Sequence, residues 1–157
     1  LYKERDYSKV TRSASESNIS DMKLLGNVAG KTVFMADDMI GTGSTLIKGM
    51  KNLKEMGAER VICAVSLPLF SGSAVDEFEA AYRQGLFHRI IGTNAVHHRD
   101  LLQKEWYVQA DVTGLFAQII SLVHHNRSVS SMLDNRELVA KRIKKQAERA
   151  ARDAGAR

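Results

Sequence analysis

Four apolar runs punctuate the first two-thirds of the chain, at residues 32–37, 60–67, 88–93 and, more weakly, 106–111 (Trp106-Tyr107-Val108-Gln109-Ala110-Asp111). Continuous runs of this length, without strict alternation, are the pattern of strands covered on both faces. Between them, apolar residues recur at three- and four-residue spacing over about 44–57, 73–84 and 113–125, which predicts three helices. Met56-Gly57 supplies a stop for the first, and Asp111 or Thr113 a start for the third. Strand–helix alternation with short connections predicts an α/β fold, a parallel sheet flanked by helices with right-handed crossovers. Residues 6–23 break the pattern: they are polar, rich in Ser, Asp, Asn and Lys, and predict a long mobile loop. Near the C-terminus, Leu138, Val139, Ile143, Ala147, Ala150 and Ala151 form a partial helical stripe among Arg136, Lys141, Arg142, Lys144, Lys145 and Arg149, which predicts a basic C-terminal helix.

The chemistry concentrates where the first of those strands ends. Val33-Phe34-Met35-Ala36 runs into Asp37-Asp38, then Met39-Ile40, then the loop Gly41-Thr42-Gly43-Ser44-Thr45, with a helical pattern from Leu46. Ligands of open α/β sheets sit beyond the carboxyl ends of the strands. A loop of small and hydroxyl residues at a helix start offers N–H groups, hydroxyls and a favourable dipole to an anion. Carboxylates beside it can accept from sugar hydroxyls or engage hydrated Mg2+. Two lookalikes are excluded. No lysine follows Gly43, as a Walker loop requires, and Leu46 stands where a dinucleotide fingerprint needs its third glycine. Phosphate donors beside diol acceptors describe a receptor for a phosphorylated sugar.

Paired acids followed by Thr-Gly-Ser-Thr resemble the phosphoribosyl-pyrophosphate motif shared by type I phosphoribosyltransferases and ribose-phosphate pyrophosphokinases. Other segments are similar to the pyrophosphokinase branch and follow its order. Lys3-Glu4-Arg5 resembles the Lys-x-Arg of the catalytic loop, and residues 24–31 the run into the sugar-phosphate strand. Leu69-Phe70-Ser71-Gly72-Ser73-Ala74 resembles the Phe-Ser-Gly-x-Ala segment, Gly92-Thr93-Asn94 the Thr-Asn signature, and Ser128-Val129-Ser130 the serine pair near the C-terminus. The resemblance covers Lys3 to about Leu133. It implies a type I phosphoribosyltransferase-like domain over 1–133, the C-terminal half of a two-domain parent, with a mobile catalytic loop at 3–25 and a basic tail at 134–157. A first residue of Leu1 fits a fragment.

The same resemblance implies transfer of diphosphate from ATP to ribose 5-phosphate, giving phosphoribosyl pyrophosphate and AMP for nucleotide biosynthesis, with Mg2+ as cofactor. Thr42, Gly43, Ser44 and Thr45 would cradle the 5-phosphate, and Asp37 and Asp38 would accept from the ribose hydroxyls. Lys3 and Arg5 would be the catalytic cations. No metal ligand is assigned; Asp37 and Asp38 remain candidates through water. A homo-oligomer is implied, and the isolated chain is expected to be incomplete for catalysis. Two departures matter: Gly41 stands where the family usually has a third acid, and the stretch between Arg5 and Gly26 is longer than the usual loop. They keep open a non-catalytic homologue that modulates an active synthase. A nucleobase phosphoribosyltransferase, using the same site without ATP, is the other alternative.

Composition changes the picture little. A chain of 157 residues, 44% hydrophobic and 26% charged, can bury one core. No apolar run reaches membrane-spanning length, and no signal-peptide pattern opens the chain. One cysteine, Cys63, cannot form an internal disulfide; it reads as a small core residue and fits a cytoplasmic protein. The net charge of +5 is local, because residues 126–157 carry nine Lys/Arg against four Asp/Glu. Without aromatics to stack bases, that tail reads as a solvated or subunit-docking helix before a nucleic-acid surface. His97-His98 has no further ligands at zinc spacing and reads as a solvated loop, and His124-His125 reads as the close of a helix, where a cation faces the favourable dipole end.

Overall fold

The computed structural model describes residues 2–5, 19–23, 26–134 and 136–155. They divide into two compact units, one up to Val112 and one from Thr113 onward. The first unit begins with a two-stranded antiparallel ribbon, β1 (Tyr2–Arg5) and β2 (Ile19–Lys23). It continues as β3 (Thr32–Ile40), α1 (Ser44–Glu55), β4 (Arg60–Pro68), α2 (Ala74–Arg83), β5 (Arg89–Thr93), a 3-10 turn (Leu101–Gln103) and β6 (Tyr107–Ala110). The four later strands form one parallel sheet in the order β3-β4-β5-β6. The second unit holds α3 (Thr113–His124), α4 (Ser130–Leu133) and α5 (Arg136–Gly155).

Strands that follow one another in space as in sequence, joined by crossovers of one hand, carry their helices on a single face. One core accordingly gathers Leu46, Met50 and Leu53 of α1, Ala74, Phe78 and Ala81 of α2, and Val61, Cys63, Val65, Ile90 and Tyr107 of the sheet. The alternate positions face the other way, and there Phe34 and Val108 are 63% and 44% exposed. Helix α1 ends as its sequence indicates. Gly57 sits at φ 86°, its N–H donates to the Lys54 carbonyl and that of Ala58 to Leu53, the paired bonds of a Schellman stop. The tail is helical, as its stripe predicts; its described side chains are exposed, and Arg136 grips Asp134 through two nitrogens.

Two expectations change. Residues 3–5 and 19–23 of the expected mobile loop lie in strands, β1 and β2; a two-stranded ribbon is held by backbone ladders and leaves little trace in hydrophobic periodicity. Strand β3 runs to Ile40, three residues past the predicted end, because its pairing with β4 continues to Ile40↔Pro68 although Asp37 and Asp38 interrupt the apolar run. Residues 6–18 of the expected mobile loop, and Leu24 and Leu25 of the run into β3, lie outside the described residues.

The junction of α2 with β6 is electrostatic. Trp106 Nε1–H donates to Glu79 Oε2 at 3.0 Å, Lys104 Nζ approaches the same oxygen at 3.0 Å, and Arg83 Nε lies 3.3 Å from Oε1. The indole hydrogen bond, then that from Lys104, hold the Glu79 carboxyl below the usual carboxylate range. A carboxyl whose folded-state pKa is depressed stabilises the fold above its unfolded-state pKa and loses that contribution as pH falls through the folded value. Glu79→Gln is therefore expected to lower Tm at neutral pH, with the gap to wild type closing as pH drops below the carboxylate range. Thermal unfolding across pH checks this; a gap that stays constant into acid would refute the assignment.

Candidate functional site

Asp37 and Asp38 are the sixth and seventh of the nine residues of β3, within the strand and not beyond it, and both are exposed. Successive strand residues face opposite sides, so the two carboxylates flank the strand. Asp37 belongs with Val33 and Met35, facing the helices; it adds to the burial that lifts the Cys63 thiol to about 12. Cys63 is fully buried and stays a protonated core thiol, inert at neutral pH. The Asp38 N–H donates to Asp37 Oδ1 at 2.9 Å.

The chain then turns through Gly41 and Thr42 into α1. Gly43 is the N-cap residue, buried, at φ 80° and ψ −6°, and its carbonyl accepts from the Ile47 N–H at 3.0 Å. Thr42 Oγ1 and Ser44 Oγ are 3.4 Å apart. No side-chain cap bond and no acidic residue in the first turn offset the positive end of α1. An anion is the natural complement of such an end. The structure thus brings Asp37, Asp38, Thr42, Gly43, Ser44 and Thr45 into one strand–loop–helix turn. Lys3 and Arg5 stand two residues apart on β1, opposite Met22 and Ile19, in the separate two-stranded sheet.

The neighbouring strand ends are stitched to this turn and to one another. The N–H groups of Leu69 and Phe70 both donate to the Ile40 carbonyl, and that of Ser71 to Gly41. The Thr93 hydroxyl donates to the Ser66 carbonyl and accepts from the Ala95 N–H. Asn94 Nδ2 donates to Asp111 Oδ1 at 2.7 Å, while Asn94 Oδ1 accepts from the Val112 N–H at 2.9 Å. His98 Nε2–H donates to the Pro68 carbonyl, and its ring stands edge-on to Phe70 at 5.7 Å. His98, read from sequence as solvated, is half-buried here.

Among the described residues no three His, Cys, Asp or Glu side chains converge as a metal cage. That donor set still fits Mg2+, which keeps most of its waters and is held by one or two carboxylates together with substrate phosphates. Asp37 and Asp38 are the carboxylates available at the turn. No helix of the described residues is long and apolar enough to cross a membrane.

This arrangement of parallel strands with an acidic strand end, a Thr-Gly-Ser-Thr turn and a helix start agrees with the family comparison. The model of the phosphoribosyl transferase domain matches residues 1–95. The chain belongs to that family. It is similar to a ribose-phosphate pyrophosphokinase of Wolinella succinogenes, 35% identical over 78% of this chain and 38% of that protein. It is similar also to a ribose-phosphate pyrophosphokinase of Prochlorococcus marinus, 33% identical over 78% of this chain and 36% of the relative. The crystal structure of phosphoribosylpyrophosphate synthetase from Mycobacterium smegmatis superposes with a TM-score of 0.57 at 29% identity, covering 65% of this chain and 33% of that one. The chain thus spans less than two-fifths of the length of these relatives.

The two glycines of the turn differ. A Cβ on Gly41 would meet nothing within 4 Å, whereas one on Gly43 would lie 2.9 Å from Phe78 Cζ and closer still to Cε2. Gly41→Asp is expected to leave stability within about 0.5 kcal/mol of wild type. Gly43→Ala combines a left-handed backbone with an overpacked contact and is expected to cost about 2–4 kcal/mol. Urea unfolding of both variants checks the contrast, which fails if the two shift alike.

Proposed function

We propose that this chain provides the ribose 5-phosphate site and catalytic cations of a ribose-phosphate pyrophosphokinase. The observation that carries the reading is the β3–α1 turn. It sets two exposed carboxylates beside hydroxyls and N–H groups at a helix start, in a chain about one-third identical to proteins of that name. Thr42, Gly43, Ser44 and Thr45 receive the 5-phosphate. Asp38, and Asp37 on the other side of the strand, accept from ribose hydroxyls.

In the reaction, the 1-hydroxyl oxygen of ribose 5-phosphate bonds to the β-phosphorus of ATP as the bond from that phosphorus to the α,β-bridging oxygen breaks. The hydroxyl proton is lost and AMP departs. Holding the sugar by its phosphate and diol fixes the attacking oxygen and removes orientational entropy from the step. Lys3 and Arg5 meet the charge on the transferring diphosphoryl group, an electrostatic role of the kind that dominates phosphoryl transfer. Mg2+, with Asp37 and Asp38 as nearby carboxylates, supplies charge neutralisation on the substrate phosphates. ATP is the second substrate, and assembly of the whole protein as a homo-oligomer in the cytoplasm belongs to the same reading.

Gly41 favours one second reading, a homologue that binds the sugar phosphate and modulates an active synthase without catalysing. Its backbone is compatible with a side chain, so a fold-based need does not account for the glycine.

Calorimetric titration with ribose 5-phosphate and Mg2+ should show saturable binding. Asp38→Asn and Thr45→Val are expected to weaken it at least ten-fold, about 1.4 kcal/mol. A folded sample that binds nothing would sink both readings. Binding untouched by either substitution would remove the site from this turn.

A further inference from the structure

The Leu69-Phe70-Ser71 segment carries none of the chemistry above, yet it is closely tied to the turn. It leaves β4 alongside the exit from β3 and donates three backbone N–H groups, two to the Ile40 carbonyl and one to that of Gly41, at 2.9–3.0 Å. Phe70 holds a left-handed backbone, φ 47°, where a bulky side chain is out of place. A glycine or asparagine would adopt that conformation with less strain. The ring accounts for the phenylalanine. It is buried against four others, with centroids 5.3 Å from Phe78, 5.7 Å from His98, 6.0 Å from Tyr107 and 6.1 Å from Trp106.

Phe78 occupies the same cluster from α2. It is fully buried, stacked at 24° on Trp106 and edge-on to Phe87 and Phe70. Its ring tip is the surface on which Gly43 rests. The two rings therefore control the turn from two directions. Phe78 sets the height of Gly43 from beneath, and Phe70 anchors the strap that holds Ile40 and Gly41.

We propose that Phe70 and Phe78 are positioning residues for the sugar-phosphate turn: an aromatic brace, touching no ligand, that fixes the shape of residues 40–45 in advance of binding. The inference rests on the sugar-phosphate reading for its functional consequence, but not for the brace itself. Rings stacked on one another resist displacement, because interiors are packed to crystal-like density and a ring cannot tilt without its neighbours. A turn seated on them keeps its N–H groups aimed without ordering cost at the moment of binding.

The test uses Phe78→Leu and Phe70→Gly, the latter keeping the left-handed backbone while removing the ring. Val61→Ala is the comparison, a buried-core truncation near the start of β4, at the opposite end of that strand from the turn. In unliganded protein, amide exchange at Leu69, Phe70, Ser71 and Ile47 should rise at least ten-fold in the brace variants relative to Val61→Ala. An equal rise in all three overturns the proposal. Titration with ribose 5-phosphate and Mg2+, well below each Tm, should show at least ten-fold weaker binding in the brace variants and wild-type affinity in Val61→Ala; wild-type affinity throughout also overturns it. If wild type binds no ribose 5-phosphate, the sugar-phosphate reading fails and the brace stands or falls on exchange alone. Should neither brace variant fold, wild-type exchange in rising denaturant decides. The four amides are expected to open together with one denaturant dependence, and separate openings overturn the proposal.

Discussion

Parallel pairing of β3 with β4, from Thr32↔Arg60 to Ile40↔Pro68, is the constraint on which the candidate site depends. In a parallel pair both strands end at the same edge, so the two loops leaving them must run side by side. The carbonyls of Ile40 and Gly41 thereby come within reach of the N–H groups at 69–71. The same register puts Asp37 opposite Val65 and aligns Cys63 with Met35 beneath α1 and α2. A slip of one residue would exchange the buried and exposed series of β3, bringing Phe34 to the core face and taking Asp37 away from it. Apolar burial in Cys63 and Val65 thus fixes where the carboxylates of the neighbouring strand stand.

Further along the edge the fastening changes from backbone to side chain. Parallel strands β5 and β6 are short, and their carboxyl ends are joined by Asn94, which both donates to Asp111 and accepts from Val112. Thr93 reaches across to Ser66 of β4. A hydroxyl or amide at a strand end satisfies carbonyls and N–H groups that the ladder leaves over, so these residues extend the rigid floor beyond the last ladder rung. Rigidity suits the proposed role, in which the site would place a hydroxyl oxygen, because misplacement of reacting atoms by an ångström is costly.

Much of this was legible in the chain. The strands β3 to β6 announced themselves as apolar runs, α1 and α2 as amphipathic repeats, and the β3–α1 turn as acids followed by small and hydroxyl residues. These signals are local and reflect burial or backbone geometry. What escaped has a different physical origin. Ile19–Lys23 pairs with β1 in a backbone ladder, and its mostly polar sequence without clear periodicity reads as loop. The last three residues of β3 are held by a partner strand more than twenty residues away. Phe70, Phe78, His98, Trp106 and Tyr107 converge from four separate segments, a convergence that no sequence window contains. The Phe-Ser-Gly and Thr-Asn segments were visible as a resemblance, while their work of tying strand ends became apparent only from the bonds they make.

The turn also separates residues dictated by the fold from residues open to chemistry. Gly43 is doubly determined: its backbone lies in the left-handed region, and Phe78 fills the volume a Cβ would need. Any phosphate-binding turn seated on that ring must have glycine there. Gly41 is under neither constraint, since its φ lies outside the left-handed range and the space around a Cβ is open. A side chain at 41 would project beside the carboxylates of β3, where its charge would act on a bound sugar or on the cation that accompanies phosphate. The resemblance to pyrophosphokinases departs at Gly41, where an acid is usual, and holds at Gly43, where packing leaves no choice. Glycine at 41 is therefore not required by the fold. It lowers the negative charge around the turn by one relative to the usual motif and weakens the local field that would hold a divalent cation. That difference is electrostatic and confined to one residue, so under the proposed function it alters the field at the sugar phosphate while leaving Gly43 seated on Phe78.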